Sequence, residues 1–307
     1  MRNSYIVYII LVFHFSCTNS ETKLFEKLSS FRTGIDFENN LTFKEDFNIF
    51  TYRNYYNGGG VGLGDINNDG LLDIYFTSNL NKNKLYLNKG DFQFEDITDV
   101  AGVGGEKSWS TGVSLADINA DGFLDIYVSN SGDIKGDNKQ NELFINNGDL
   151  TFTEMANEYG LDDKGYSTHA AFFDFDRDGD LDCYLLNNSY KGGFRITSIG
   201  KDQRPVRDEV GGDKLFENDN GKFIDISEEA GIYGSVIGFG LGVTVGDANN
   251  DGWMDIYVSN DFFERDYLYI NNQDGTFSEN LEIMIKSISA ASMGADMADI
   301  NNDGLSE

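Results

Sequence analysis

The sequence predicts an all-β protein built from repeated four-stranded units, and three observations carry the prediction. An acidic loop pattern recurs at steps of 52, 57, 73 and 52 residues, a period typical of propellers, solenoids and arrays. A hairpin pattern alternates with it. The composition, 35 Gly against 1 Pro with 24 Phe and 16 Tyr, suits short strands joined by tight turns and gives them ample core material.

The acidic loop comes first in each unit. It reads Gly64-Asp-Ile-Asn-Asn-Asp-Gly-Leu-Leu-Asp-Ile-Tyr75 in the first and Ala116-Asp-Ile-Asn-Ala-Asp-Gly-Phe-Leu-Asp-Ile-Tyr127 in the second. Phe173-Asp-Phe-Asp-Arg-Asp-Gly-Asp-Leu-Asp-Cys-Tyr184 and Gly246-Asp-Ala-Asn-Asn-Asp-Gly-Trp-Met-Asp-Ile-Tyr257 follow, and a fifth copy opens at Asp299. The hairpin comes next. Lys84-Leu-Tyr-Leu-Asn-Lys-Gly-Asp-Phe-Gln-Phe94 is one copy and Tyr267-Leu-Tyr-Ile-Asn-Asn-Gln-Asp-Gly-Thr-Phe277 another, each with an Asn, Asp and Gly turn that tolerates positive φ. In the first unit the strands fall at about 60–66, 73–78, 84–88 and 92–97, and a short helical turn ends at Ala101-Gly102. Four short strands per unit describe a β-propeller blade, whose two faces are covered only by its neighbours. Blades are expected at about 55–103, 104–161, 162–232 and 233–285, with a partial one at 286–307.

The loop has the chemistry of a hard-cation cage. Side-chain oxygens at positions one, three, five and nine surround the ion, glycine at six permits the sharp turn, and position seven offers its carbonyl. The candidate ligands are Asp65, Asn67, Asp69 and Asp73; Asp117, Asn119, Asp121 and Asp125; Asp174, Asp176, Asp178 and Asp182; and Asp247, Asn249, Asp251 and Asp255. Leu71, Phe123, Asp180 and Trp253 supply the carbonyls, and Asp299, Asn301 and Asp303 form a partial fifth site. The start resembles an EF-hand, but the flanks read as strands and no glutamate stands at position twelve, so no helix-opening switch is expected. Oxygen-only ligands point to calcium, about four to five ions, rather than to zinc or copper. Without metal, carboxylates ~5 Å apart repel by about 1–3 kcal/mol per pair, so binding is expected to couple to folding.

The rest of the chain narrows the function. With 52 Asp and Glu against 23 Lys and Arg, a net charge of −29 argues against nucleic acid as a partner. Arg2 and the apolar run from Tyr5 to Phe15 have the layout of a signal peptide, 1–17. Cys17, directly after the run, resembles a lipoprotein cleavage and lipidation site, and the polar stretch 18–35 reads as a tether. The chain is thus expected to be secreted, reaching a bacterial outer membrane or cell surface as a lipoprotein that touches the membrane only through its lipid. Cys183, where sister units carry isoleucine, is expected to be a small buried hydrophobe.

Residues 189–212 lengthen the third unit and bring Lys191, Arg195, Lys201, Arg204 and Arg207 into an acidic chain, a loop suited to binding or to local charge balance. His169, in Ser167-Thr168-His169, is the one histidine beyond the apolar leader and reads as packing rather than as a general base. No nucleophile elbow, zinc-binding helix or phosphate loop occurs.

These motifs resemble the FG-GAP/VCBS repeat family, whose blades also build integrin α-chain propellers, with the nearer likeness to bacterial VCBS-repeat lipoproteins of the ASPIC/UnbV type. Tyr56-Asn-Gly-Gly-Gly-Val-Gly-Leu-Gly-Asp65 and Phe94-Glu-Asp-Ile-Thr-Asp-Val-Ala-Gly102 are similar to that group's opening blade. The resemblance spans about 35–307. It implies a seven-bladed calcium-bearing propeller over 36–307, here with four complete blades and the start of a fifth, as in a truncated sequence. It also implies extracellular recognition or adhesion through an unidentified protein or glycan, and no enzyme. The other reading is the propeller domain of a secreted carbohydrate-active hydrolase or lyase.

Overall fold

The computed structural model describes residues 24–107, 109–132, 138–188, 203–262 and 264–305. The apolar leader, Cys17, most of the basic insertion and Glu307 lie outside them. Among the described residues no helix is long and apolar enough to cross a membrane.

The chain is all-β and forms four antiparallel sheets of four strands, each in sequence order. The first holds β1 (Val61–Gly64), β2 (Asp73–Phe76), β3 (Lys84–Asn88) and β4 (Phe94–Asp96). The second holds β5 (Ser110–Ala116), β6 (Asp125–Asn130), β7 (Glu142–Asn146) and β8 (Phe152–Glu154). The third is β9 (Ser167–Phe173), β10 (Asp182–Asn187), β11 (Lys214–Asn218) and β12 (Phe223–Asp225). The fourth is β13 (Gly240–Gly246), β14 (Asp255–Asn260), β15 (Tyr267–Asn271) and β16 (Phe277–Glu279). Strands fall where the repeats place them, one or two residues shorter at some ends. One-turn helices follow three sheets: α2 (Thr98–Ala101), α3 (Ala156–Tyr159) and α4 (Leu281–Met284), with a further turn, α1 (Ser30–Thr33), near the start.

Neighbouring sheets are packed face to face, and the period-two alternation of each strand decides which neighbour each side chain meets. In the second sheet, Ile126, Val128 and Phe144 join Tyr75, Leu85 and Leu87 of the first. The intervening Tyr127, Leu143 and Ile145 join Cys183, Leu185 and Phe216 of the third. Tyr184, Leu186 and Leu215 then pack on Ile256, Val258 and Tyr269 of the fourth. The two middle sheets bury both faces, so their second strands, Asp125–Asn130 and Asp182–Asn187, are buried at every position. Cys183 is fully buried, as its place in the isoleucine column predicts.

Polar contacts to the first strand of the following sheet fix the stacking. The Thr77 hydroxyl donates to the carbonyl of Thr111, Thr111 to that of Ser167, and Thr168 to that of Gly240, so each sheet bonds the main chain of the next. Asn146 reaches the carbonyl of Ile66, and Asn271 that of Phe175, at the other end of the strands. The row of sheets is not closed: Val61 and Leu63 on β1 are 58% and 60% exposed. Ahead of β1, Phe37 stacks on Phe76 at 4.7 Å and Asp36 accepts a bond from the Tyr86 hydroxyl, laying residues 36–39 along the first sheet.

Candidate metal-binding loops

Each acidic loop joins the first strand of a sheet to the second and is held by its own amides. In the first loop, Asp65 accepts from the N–H of Asp69 and of Gly70, and Asp69 accepts from the N–H of Leu71. The second and fourth loops repeat this at Asp117 and Asp121 and at Asp247 and Asp251. The fifth, Asp299 to Leu305, makes the same turn at Asp303 and Gly304, so the geometry is local and does not need a second strand. Glycine at position six has positive φ in all five loops, from 86° to 99°, as the sequence requires. Position four is left-handed as well, at Asn68, Ala120, Arg177, Asn250 and Asn302.

Position four also links loops. Asn68 donates to the carbonyl of Gly122 in the second loop. Arg177 donates to that of Gly252 in the fourth, with its guanidinium 4.2 Å from the Trp253 ring centre. The methyl group of Ala120 has no donor for the equivalent bond to the third.

Position nine differs from the other candidate ligands. Asp73, Asp125, Asp182 and Asp255 are at most 1% exposed. Each carboxylate accepts two main-chain N–H bonds: one from the second residue of its own loop, one from the asparagine ending the third strand. For Asp125 the donors are Ile118 at 2.9 Å and Asn146 at 2.8 Å; for Asp182 they are Phe175 at 3.1 Å and Asn218 at 2.9 Å. Asp73 and Asp255 bond the amides of Ile66 and Asn88 and of Ala248 and Asn271. Burial pushes Asp125 up to about 6 and Asp182 up to about 7, and raises Asp73 and Asp255, against the lowering effect of those amide bonds. This aspartate is a brace as well as a candidate ligand, a role that spacing alone does not reveal.

The loops are not equal as cation sites. Among the described residues, one set of three carboxylates converges: Asp174, Asp176 and Asp182 offer oxygens within 4.8 Å of one another. Beside them, Asp180 carries a buried Oδ1 with no partner, and burial, followed by repulsion from Asp178 and Asp176, pushes its carboxyl up to about 6. An unpaired buried oxygen among carboxylates fits a divalent cation, which supplies both the missing partner and the opposing charge. In the first, second and fourth loops position three is asparagine. Its amide donates to the position-five carboxylate at 2.9–3.0 Å, in Asn67 to Asp69, Asn119 to Asp121 and Asn249 to Asp251, which relieves the repulsion internally.

The sequence reading missed one polar column. Asn83, Asn141, Asp213 and Asp266, just before each third strand, accept the N–H of Ser78, Asn130, Asn187 and Asn260. Their recurrence immediately ahead of the hairpin motif is a signal that could have found them.

The FG-GAP-like repeat family matches this chain over residues 38–128, 131–185 and 249–307, stretches that carry four of the loops whole and the loop of the fourth sheet from Asn249 onward. The chain belongs to this family. Cartilage acidic protein 1 of Xenopus tropicalis is similar to the FG-GAP-like chain, 30% identical over 215 residues that make up 67% of this chain and 29% of the relative. Human cartilage acidic protein 1 is 28% identical over 206 residues, 67% of this chain and 28% of the relative. The chain spans under a third of the length of the curated relatives it matches. Among solved structures it is similar to an Agrocybe aegerita lectin described as recognising non-reducing terminal N-acetylglucosamine, with a TM-score of 0.40 and 20% identity over 71% of this chain and 50% of that one. The V. cholerae biofilm matrix protein Bap1 gives a TM-score of 0.39 and 16% identity over 71% and 27%.

Proposed function

We propose that the chain is a calcium-stabilised, extracellular recognition and adhesion module that binds a protein or a glycan and is not an enzyme. The convergence of Asp174, Asp176 and Asp182 beside the unpartnered Asp180 oxygen carries the reading. All-oxygen donors and several negative charges suit a hard divalent cation, and calcium accepts the larger, less regular cage that such a loop forms. Asp174, Asp176, Asp178 and Asp182 hold it in the third loop, and the corresponding residues of the other loops hold further ions once their Asn–Asp bonds yield. The bound ion supplies charge neutralisation and ties the two strands that flank the loop. The stacked sheets are blades of a propeller, seven-bladed as the family resemblance implies.

Membership of a repeat family, a relative named for cartilage and the signal-peptide layout of residues 1–17 support a place outside the cell, with Cys17 as the lipid anchor. Binding rather than catalysis is supported by the loops themselves, whose carboxylates are occupied in holding turns and strands.

The test is a screen of the purified protein on glycan and extracellular-protein arrays, in calcium and in chelator. Saturable binding in calcium that chelation abolishes is expected. Binding to nothing on either array in either buffer would refute the recognition reading.

A further inference from the structure

The acidic loops follow the ends of β1, β5, β9 and β13, whereas a second feature lies where those strands begin. An open cavity of about 420 Å³ is lined there by Asn54, Tyr56, Ser131, Thr168 and His169, together with the Gly58–Gly60 run and a few apolar side chains. In a chain with 52 acidic residues, no carboxylate, ammonium or guanidinium group lines it among the described side chains. His169 stands five residues before the first loop aspartate, where the other sheets have Gly60, Gly112 and Gly242. At those glycines an added Cβ would meet neighbouring main chain, that of Thr111 at 2.8 Å, that of Thr168 closer still and that of Gly294 at 2.8 Å, whereas His169 carries an imidazole packed over Gly112. Burial lowers the affinity of that ring for a proton and so favours its uncharged form.

The rim is held in place. A single 3-10 turn, Arg53–Tyr56, carries Asn54 and Tyr56. It is anchored by Tyr55, whose ring lies 5.6 Å from those of both Phe47 and Trp109. Trp109 is 1% exposed and has φ of 62°, an unfavourable backbone for a bulky residue, sustained only by its surroundings. Within this rim Asn54 is 9% exposed, and its Oδ1 is buried with no hydrogen-bond partner. Tyr56 projects outward at 66% exposure.

We propose that this cavity is a binding site for an uncharged sugar residue, with Asn54 accepting a sugar hydroxyl and the Tyr56 ring stacking on the sugar face. The proposal rests on the recognition reading above and narrows it to one ligand class and one site. An orphaned amide oxygen gains a donor, and an exposed aromatic ring gains an apolar C–H face. The volume falls in the range of small-ligand sites. Among the described side chains no cation lines the cavity to receive an acidic sugar, which the net charge of −29 also opposes.

The experiment is saturation-transfer NMR and calorimetry on the calcium-loaded chain. Glucose, galactose, mannose and N-acetylglucosamine are compared with glucuronic acid and with an uncharged glycine-serine peptide. At least one neutral sugar is expected to bind in the ~1–50 mM range expected of a monosaccharide on a single shallow site. Asn54→Ala and Tyr56→Ala should each weaken it at least tenfold with unchanged melting curves, because Asn54 Oδ1 satisfies nothing in the free protein and Tyr56 is exposed. Absence of any neutral-sugar signal, equal binding of glucuronic acid or of the peptide, or binding untouched by both substitutions overturns the proposal. An array-positive protein whose binding survives both substitutions keeps the recognition reading and loses this site; a protein that binds nothing on the arrays loses both.

Discussion

Replacing Asp125 by alanine separates the two roles that its position combines. The carboxylate is fully buried and accepts the amides of Ile118 and Asn146, so alanine leaves two buried donors without a partner. Each orphaned donor costs about 1–3 kcal/mol, giving roughly 2–6 kcal/mol for the pair. The lower half of that range is expected, since Asp125 is itself strained by burial, as its rise to about 6 shows. Position five provides the control. Asp121 is exposed and accepts the Phe123 amide in a solvated turn, so Asp121→Ala should cost under about 1 kcal/mol without metal. The assay is urea unfolding in chelator, with hydrogen exchange at the Ile118 and Asn146 amides as a local probe, because stacked repeats need not unfold in a single step. Asp125→Ala should unfold at markedly lower urea and lose protection at both amides, while Asp121→Ala should resemble the parent. If the two variants unfold together in chelator with both amides still protected, the bracing role is refuted and position nine is a metal ligand alone.

Asp213 should give the fold a pH dependence. Burial pushes it up to about 7 while the Asn187 amide and the Tyr184 hydroxyl bond it, so between the ordinary carboxylate range and pH 7 the folded chain holds a proton that the unfolded chain has released. Its contribution is therefore greatest at low pH and is lost as pH rises through about 7. Asp213→Asn, the residue that sister sheets carry at Asn83 and Asn141, should flatten that part of a stability profile taken from pH 5 to 8; an unchanged profile would contradict the assignment. Cys183, fully buried with its thiol pushed well up by burial, should resist a thiol reagent in the native state and react only on unfolding, and rapid native labelling would show that the interface between the second and third sheets opens freely.

Much of this architecture was legible because repetition multiplies weak signals. One Asp-x-Asn-x-Asp-Gly turn followed by an Asp-Ile-Tyr run is ambiguous, but its return at 117 and 247, and at 174 with Asp176 and Cys183 substituted, each time ahead of a hairpin motif, places strands on both sides of these four loops. Glycine six was readable because no other residue takes its backbone without strain. Position four was not, since Asn, Ala and Arg share it and only the first commonly favours a left-handed turn. The ninth aspartate could be read as a ligand but not as a brace, because its amide donors lie on another strand, 21 residues away in the case of Asn146. The loops also looked alike in sequence, whereas exchanging Asn67, Asn119 or Asn249 for Asp176 replaces an internal hydrogen bond by a third carboxylate and makes the third loop the most strongly poised for a cation. His169 read as packing; its place on an open cavity beside Gly60 and Gly112 depends on how the sheets stack, which spacing within one strand does not show.

Differential scanning calorimetry of the chain with calcium, with magnesium and with chelator most directly tests whether divalent cations hold these loops together. A clear fall in melting temperature on chelation is predicted, restored by calcium and much less by magnesium, and reduced in a variant carrying Asp174→Asn and Asp176→Asn. Superimposable melts in all three buffers would contradict the account.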